Sequence, residues 1–306
     1  MSPALPLVSV GVPTYDRPGE LRRCVEDLLA QTYPTLEIIV SDNGTGPEVD
    51  AIMRELMQKD ARIRYFPQPE NRGAIFNFQF VLDRAQGEYF MWAADDDHRA
   101  PTYVQTLLEE FQRRPDCAIV FCDFLEVDPE GRAAGGFPQH LPLLRPFSAD
   151  SGLLRQVAYF FQLEPKGKAN VIYGLMKRAA LADLDWAGFI GKHGIYGIDM
   201  LFAFNMLRRG PLGLSDRQLY RCTVGNQKNT FAVAQARSFG QKAGAQLSVL
   251  ARQLRYAWQY VRLADGIARV VLLVCWPLKA LDIVLRLFVA TELRNMCARW
   301  RRWQSR

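Results

Sequence analysis

The chain has 306 residues, of which 49% are apolar and 23% are charged, and its formal net charge is +6. This composition suits a packed globular core and excludes a chain that is disordered throughout. The length allows one large α/β domain, or one domain with an appendage. The six cysteines are scattered without a CxxC pair, which predicts reduced thiols in a reducing compartment.

The sequence predicts neither a signal peptide nor a transmembrane helix. The first residues lack a charged segment followed by a long apolar run, so no signal peptide is predicted. No window reaches the uncharged span of about 20 residues that a transmembrane helix needs.

Apolar runs alternate with segments of helical spacing through the first third of the chain. The predicted strands are Leu7–Val12, Glu37–Val40, Ile63–Phe66, Glu88–Trp92 and Cys117–Phe121. The predicted helices are Leu21–Gln31, Val49–Met57, Ile75–Ala85 and Tyr103–Phe111. This alternation predicts βαβ units and a mainly parallel sheet, in which ligands bind at the carboxyl ends of the strands.

The pattern loosens from about Asp123 onward. Loops rich in glycine and proline are followed by the further predicted elements. These are a helix over Leu153–Phe161, a strand over Val171–Met176, a helix from about Asp199 and a strand over Leu212–Cys222. After Ala232 the pattern is helical to the end.

Three consecutive carboxylates, Asp95, Asp96 and Asp97, follow the predicted strand Glu88–Trp92. They repel one another, and a divalent cation would relieve that repulsion. Mg²⁺ or Mn²⁺ accepts one or two carboxylates and takes its other ligands from water and phosphate oxygens. The alternative interpretation is a solvated acidic turn that caps a helix before Pro101.

Polar motifs also follow the other strands, and together they resemble the family 2 glycosyltransferases, an inverting family with a glycosyltransferase-A fold. The resemblance covers roughly residues 7 to 225. The matching segments are Val8–Tyr15, Leu29–Pro34, Glu37–Gly44, Asn71–Gly73 and Asp95–Asp97, in the family's order and spacing.

The resemblance assigns roles on the donor side. It places Thr14 and Tyr15 in the pocket for the nucleotide base, with Pro13 shaping the turn. Asp42 would accept a hydrogen bond from the base, and Arg72 would reach the base or a phosphate.

Of the acidic residues, Asp96 and Asp97 match the family's Asp pair, one facing the ribose and the other the metal on the diphosphate. The family often has another acid two positions before Asp96, where this chain has Ala94. Asp95 is the candidate substitute for that acid. The predicted metal ligands are Asp97 and Asp96, and the division of roles within the three stays open.

Inverting transfer needs a base that takes the proton of the acceptor hydroxyl. The family usually places an acidic pair at a helix start in its second half, and Ile198-Asp199 fits that position with one acid missing. Asp199 is the candidate base, and a plain helix N-cap is the alternative. His193, in the preceding loop, is a candidate contact for acceptor or phosphate, with a solvent-facing role as the alternative.

A further family motif, Tyr-Arg-x-His, appears as Tyr220 to Thr223, so threonine replaces a histidine that can bind the metal. Arg221 is a candidate to neutralise the departing diphosphate, and a structural ion pair is the alternative. Neither a GxGxxG motif after a strand nor a GxxxxGK[ST] motif is present, which disfavours dinucleotide and P-loop enzymes.

The C-terminal segment predicts amphipathic helices on both sides of Pro277, with a kink or break there. Lys279, Asp282 and Arg286 fall within an arc of about 60° on a helical wheel. Five arginines from Arg294 to Arg306, without an acid among them, favour an anionic membrane surface over nucleic acid. The alternatives are packing on the catalytic domain or on a second subunit, which would make a homo-oligomer.

These observations predict a glycosyltransferase-A-type α/β domain over residues 1–230, with a nucleotide-binding half to about 97 and an acceptor half to about 229. A helical membrane-associating extension would cover 231–306, at the cytoplasmic face of the cell membrane. The predicted activity is metal-dependent transfer of a hexose, with Mg²⁺ or Mn²⁺ as cofactor and a UDP-sugar as the favoured donor. The acceptor would be a hydroxyl of a lipid-linked or polysaccharide glycan in cell-envelope synthesis. The alternative is a catalytically silent nucleotide-sugar-binding protein or membrane scaffold.

Overall fold

The computed structural model describes residues 4–44, 46–134, 139–162, 167–224 and 239–304, with side chains of the last stretch described from 247 to 287. The chain divides into two compact units, Met1–Gln227 and Lys228–Arg306. The domain boundary predicted near residue 230 falls outside the described residues.

A mainly parallel sheet forms the centre of the first unit. It contains β1 (Val8–Thr14), β2 (Leu36–Asp42), β3 (Ile63–Pro67), β4 (Tyr89–Trp92) and β7 (Met176–Lys177), in the order β3-β2-β1-β4-β7. Only β7 runs antiparallel to its neighbour among these strands. The apolar runs of β1, β2 and β4 are almost completely buried, as is typical of a sheet covered on both faces. The predicted fold class is confirmed.

Helices connect the parallel strands and carry the chain back over the sheet. They are α1 (Pro18–Leu29), α2 (Pro47–Lys59) and α3 (Ala74–Asp83), and α4 (Tyr103–Arg113) follows later in the chain, between two strands of a smaller sheet. Prolines open α1 and α2 at the first helical turn, where the missing N–H costs nothing. At Gly11 in β1, a Cβ atom would lie 2.6 Å from Cγ2 of Val81, so glycine lets α3 pack closely on the sheet.

A second, smaller sheet joins the end of the nucleotide half to the rest of the unit. It contains β5 (His98–Arg99), β8 (Leu212–Thr223) and β6 (Ile119–Val127), in the order β5-β8-β6. The strand β5 begins directly after the acidic residues and pairs antiparallel with β8. The carboxyl end of β8 therefore lies beside Asp95–Asp97.

The remaining helices of the first unit lie in the acceptor half. They are α5 (Leu141–Leu144), α6 (Gly152–Phe161), α7 (Trp186–His193) and α8 (Ile198–Arg209). The predicted strand over Val171–Met176 is wrong for most of its length, because Lys168–Tyr173 is a 3₁₀ helix and only Met176 enters a strand. The left-handed Gly167 starts that 3₁₀ turn, which the apolar run alone did not indicate.

The second unit contains α9 (Phe239–Leu263) and α10 (Gly266–Gln304), which pack on each other. The helix α10 continues through Pro277, so a break does not occur there, and the alternative of a kink stays a prediction. Lys279 is buried, which differs from the solvent-facing charged arc expected from the sequence. No helix in the described part of the chain is long and apolar enough to cross a membrane.

An exposed apolar stripe runs along α10. Its side chains are 48% to 73% exposed and fall within an arc of about 80° at 100° per residue. They are Ile267, Val270, Val274, Leu278, Leu281 and Leu285. A surface of this kind marks a contact site or an aggregation liability in a free helix pair.

Candidate functional site

The carboxyl ends of β1, β2 and β4 meet at one edge of the main sheet. Thr14 lies opposite Asp42 in the parallel register of β1 and β2, and Gly11 lies opposite Trp92 in that of β1 and β4. The side chain of Asn77 in α3 bridges the first two strands, because its Nδ2 donates to the Thr14 carbonyl at 3.0 Å and to the Ser41 carbonyl at 2.9 Å. This edge is therefore held in a fixed geometry.

A cavity of about 460 Å³ opens at that edge. Its volume lies in the range typical of small-molecule sites. The lining residues come from all three strand ends, from α3 and from the acceptor half. They are Pro13, Thr14, Tyr15, Arg17, Asn43, Asn71, Gly73, Ala74, Asn77, Phe78, Ala94, Asp95, Asp96 and Tyr173.

Several residues assigned to the donor site from the sequence line this cavity: Pro13, Thr14, Tyr15, Asp95 and Asp96. The Tyr15 side chain is 54% exposed and offers an aromatic face for stacking. The strand-end pattern therefore brings these five together, as predicted.

Two buried acceptors in the same cavity were not identified from the sequence. Oδ1 of Asn43 and Oδ1 of Asn77 are buried without a hydrogen-bond partner, although both residues line the cavity. Each amide is oriented by its Nδ2, which in Asn43 donates to the Gly73 carbonyl at 2.8 Å. Buried acceptors are rarely left unpaired, and both of these belong to residues that line the cavity. The only signal in the sequence was the position of Asn43, directly after β2.

Asp95 and Asp96 lie at the polar end of the cavity. Asp95 accepts from the Thr14 hydroxyl at 2.7 Å and from the Arg17 guanidinium at 3.0 Å. Burial raises the pKa of Asp95, and the Thr14 hydrogen bond and the Arg17 charge oppose that shift. Asp96 accepts from Arg17 through Oδ2 at 2.8 Å, while its Oδ1 has no hydrogen-bond partner among the described residues.

Asp96 also borders a second cavity of about 260 Å³, together with His98 and Thr223. Its carboxylate therefore lies between two openings.

Asp97 lies differently from its two neighbours, because its carboxylate points into the protein. Oδ2 accepts a hydrogen bond from the Tyr220 hydroxyl, and Oδ1 accepts from the Thr223 backbone N–H at 2.8 Å. Burial raises the pKa of Asp97 to about 6, against the opposing effects of the Arg99 charge and the Tyr220 hydrogen bond. Thr223, at the position of the family's histidine, also donates its hydroxyl to the Asp96 carbonyl at 2.5 Å.

The acidic residues fit a divalent cation as a partial site. Within the described ranges, no three acidic, histidine or cysteine side chains converge as a metal site. Mg²⁺ and Mn²⁺ do not require three, since one or two carboxylates suffice when phosphate oxygens and water complete the shell. Asp96, with its unpaired oxygen, and Asp95 beside it are the side chains in position to supply them.

Three other predicted donor residues do not line the cavity. Asp42 is buried and accepts from the Gly44 N–H at 2.7 Å and the Tyr65 hydroxyl at 3.2 Å. Burial raises the pKa of Asp42, and those two hydrogen bonds oppose the shift. The Arg72 guanidinium stacks 3.7 Å above the Phe76 ring, and Arg221 is exposed on β8.

Asp199 lies in the first turn of α8, and its Oδ1 accepts from the Met200 N–H at 2.8 Å. Burial raises its pKa, and the opposing effects come from that N–H and from the Lys168 charge. Tyr173 connects this region to the donor cavity, since it lines the cavity and the charges of Asp97 and Asp199 contribute to its raised pKa, after the larger effect of burial. Tyr173 was missed because its segment was read as a strand.

His193 ends α7, and its ring packs 4.7 Å from that of Phe189. Its candidate role toward acceptor or phosphate stays a prediction.

A mainly parallel sheet with a cavity at its carboxyl edge is the arrangement in which α/β domains bind their ligands. Residues 9–148 match the protein family described as glycosyl transferase family 2. These residues form a domain of the family 2 glycosyltransferases, and the chain has a glycosyltransferase-A fold. The predicted family is confirmed.

Known proteins extend this likeness. A GalNAc(5)-diNAcBac-PP-undecaprenol beta-1,3-glucosyltransferase from Campylobacter jejuni is 33% identical over 107 residues, which cover 35% of each chain. The chain thus matches about a third of that relative's length.

Two solved structures share the fold. TarS 1-349 of S. aureus in complex with UDP superposes with a TM-score of 0.59 at 15% identity, over 94% of this chain and 91% of that one. The mannosyltransferase PcManGT from Pyrobaculum calidifontis, in complex with GDP-Man and Mn²⁺, superposes with a TM-score of 0.54 at 15% identity. The superposition covers 99% of this chain and 84% of that one.

Proposed function

We propose that the protein is an inverting glycosyltransferase that moves a sugar from a nucleoside diphosphate sugar to an acceptor hydroxyl. The observation that carries this proposal is the cavity lined by Tyr15, by Asn43 and Asn77, and by Asp95 and Asp96. A nucleoside diphosphate offers a matching arrangement, with an aromatic base that bears N–H groups at one end and a charged diphosphate at the other.

The donor side would work through positioning and charge. Tyr15 stacks on the base, and the Asn43 and Asn77 carbonyl oxygens accept its N–H groups. Asp96, assisted by Asp95, would hold Mg²⁺ or Mn²⁺, which would supply positive charge against the oxygens of the diphosphate leaving group. Asp97 fixes the turn between β4 and β5 through Tyr220 and Thr223. A UDP-sugar is the favoured donor, supported by the UDP complex of the TarS fold relative.

The acceptor side would work through Asp199. As the acceptor oxygen forms its bond to the anomeric carbon, the bond from that carbon to the diphosphate oxygen breaks on the opposite face. The Asp199 carboxylate takes the proton of the acceptor hydroxyl. One displacement inverts the anomeric centre and releases the nucleoside diphosphate.

The acceptor would be lipid-linked or a polysaccharide, in cell-envelope glycan synthesis. The Campylobacter jejuni relative supports this, because its name describes transfer onto an undecaprenol-linked glycan. The exposed stripe on α10 adds a physical reason, since apolar side chains on one helix face can enter the headgroup boundary of a bilayer. We therefore propose peripheral binding at the cytoplasmic face of the membrane, assisted by the terminal arginines, whose side chains lie outside the described residues. A second copy of the chain is the alternative partner for this stripe.

The first experiment is a thermal-shift screen of UDP, GDP, CDP, ADP and dTDP, each with and without Mn²⁺. Stabilisation by a ligand reaches about 2.7 kcal/mol at a hundredfold excess over Kd. One nucleotide should raise the melting temperature more than the others, and Mn²⁺ should enlarge that shift. Equal, negligible shifts for all five would refute the donor site.

A second candidate function is nucleotide-sugar binding without turnover, or membrane scaffolding. It is favoured by Ile198 at the position of one family acid and by Thr223 at the position of the family's histidine. Release of UDP from a UDP-sugar by the wild-type protein, with loss of that release in Asp199→Asn and unchanged UDP binding, would exclude it.

A further inference from the structure

The cation nearest to the acidic residues is a side chain of the protein itself. NH1 of Arg17 lies 3.0 Å from Oδ1 of Asp95 and 2.8 Å from Oδ2 of Asp96. Arg17 stands between β1 and α1, and the residue before it, Asp16, has a φ of 53°. Aspartate adopts this left-handed conformation more readily than most residues other than glycine, and here it belongs to the turn that presents Arg17 to the end of β4.

The partly exposed position of Arg17 allows its side chain to change partners. Its side chain is 37% exposed, so it can leave without opening the core. Burial alone would lower the pKa of Arg17, but the charges of Asp95 and Asp96 raise it by more. The net effect is a raised pKa, so the guanidinium stays charged. It also lines the donor cavity, where a diphosphate would offer it a bidentate anion.

A divalent cation held by both Asp95 and Asp96 would lie close to the Arg17 guanidinium, which contacts one oxygen of each carboxylate and leaves Oδ1 of Asp96 unused. Two cations sharing the same two carboxylates repel each other at short range, and the repulsion is strong because Asp95 is buried. Arg17 and the metal therefore weaken each other's binding unless another anion draws Arg17 away.

We propose that Arg17 occupies the cation position of the metal-free protein and moves onto the diphosphate when the donor binds, so that metal binding depends on the donor. This inference rests on the proposed function for the identity of the anion. Its consequence is a positive coupling between nucleotide and metal, which by linkage acts equally in both directions.

The test measures Mn²⁺ binding to the full chain by electron paramagnetic resonance, first without nucleotide. Arg17→Gln should bind Mn²⁺ at least about tenfold more tightly than the wild type, a change within the usual range for coupled sites. Arg23→Gln is the matched control, because Arg23 is exposed in α1 and lines the second cavity with Asp96 but makes no contact with the carboxylates. It removes the same charge and should change Mn²⁺ affinity much less than Arg17→Gln.

The second measurement adds UDP. In the wild type, UDP should strengthen Mn²⁺ binding markedly, and in Arg17→Gln this enhancement should shrink. Arg17→Lys, which keeps the charge but loses the planar fork, should lie between the two and serves if the glutamine variant does not fold. Equal Mn²⁺ affinities of the wild type and Arg17→Gln without nucleotide would overturn the inference, even if UDP binds normally. Absence of UDP binding in the wild type would instead refute the proposed donor.

Discussion

The Tyr220 hydroxyl donates a hydrogen bond to Oδ2 of Asp97, joining residues 123 positions apart in the chain. Together with the Thr223 N–H on Oδ1, this contact ties the end of β8 to the turn after β4. Asp97 thus holds the turn in place through hydrogen bonds within the protein, whereas Asp96 borders the two cavities.

This difference predicts distinct effects of two isosteric substitutions on metal binding. Mn²⁺ should strengthen UDP binding by a certain factor in the wild type, and Asp96→Asn should reduce that factor by roughly tenfold or more, because a charged ligand of the metal is lost. Asp97→Asn should reduce it less, because its carboxylate oxygens already accept two hydrogen bonds within the protein. Titration calorimetry of UDP at several Mn²⁺ concentrations checks both. A larger effect of Asp97→Asn would assign the metal to Asp97, as the sequence pattern also allows.

Asp97 should also give the metal-free protein a pH-dependent stability. Its pKa of about 6 in the folded protein lies above the ordinary value of 3.8, so the folded state holds this proton more tightly than the unfolded state. The free energy of unfolding contributed by this group therefore falls as the pH rises from about 4 to about 6, by on the order of 3 kcal/mol.

Asp97→Asn removes the titration, so its melting temperature relative to wild type should rise between pH 4 and pH 7. Calorimetry in the presence of a chelator measures this difference. A constant difference across the range would contradict the raised pKa.

Asp199→Asn should separate transfer from binding. A general base typically contributes about 10²–10⁴-fold, so turnover should fall on that scale while donor affinity barely changes. Donor affinity is followed by the thermal shift with the nucleotide selected in the screen, and turnover by nucleoside diphosphate release. Near-normal turnover would exclude Asp199 as the base and make His193 the next candidate.

The pH profile of transfer gives an independent view of Asp199. Its pKa is raised by burial and lowered by the Lys168 charge, and only the ionised form accepts a proton. Activity should therefore fall on the acid side. Lys168→Met should move that acid limb to higher pH, because it removes a charge that stabilises the carboxylate. A limb that stays in place in a folded Lys168→Met protein would show that another group controls it.

The exposed stripe of α10 predicts membrane binding that point substitutions can remove. Val274→Gln with Leu278→Gln should reduce association with anionic liposomes in a flotation assay, because it interrupts the apolar face in its centre. Leu154→Gln is a matched control, since Leu154 is 60% exposed in α6 of the first unit. Unchanged flotation of the double variant, combined with loss of a dimer in sedimentation, would assign the stripe to a second copy of the chain.

The sequence predicted the part of the fold that depends on local pattern. Buried runs such as those of β1 and β2 are recognisable because both faces of the strand are apolar, and the parallel arrangement then brings Thr14, Tyr15, Asp95 and Asp96 to one edge. The direction of Asp97 was not predictable in this way. It depends on a partner in β8 that is remote in the chain.

The residues that were missed are ones whose roles depend on tertiary contacts. Asn77 is an unremarkable helix residue until its amide bridges two strand ends, and only then is its oxygen left unpaired in the cavity. Tyr173 enters the site because Gly167 turns the chain into a 3₁₀ helix. A single sequence gives no direct signal for either.

The position of β8 also determines when the site can be completed during synthesis. The strands β1 to β4 lie within the first 92 residues, and the N–H that seals Asp97 belongs to Thr223, 126 residues after it. At about 5–20 residues per second, the ribosome needs roughly 6 to 25 s to make that stretch. A nascent chain therefore carries its nucleotide half for many seconds with the acidic turn unsealed, and the cation-binding carboxylates acquire their final arrangement only as the last strand of the first unit emerges.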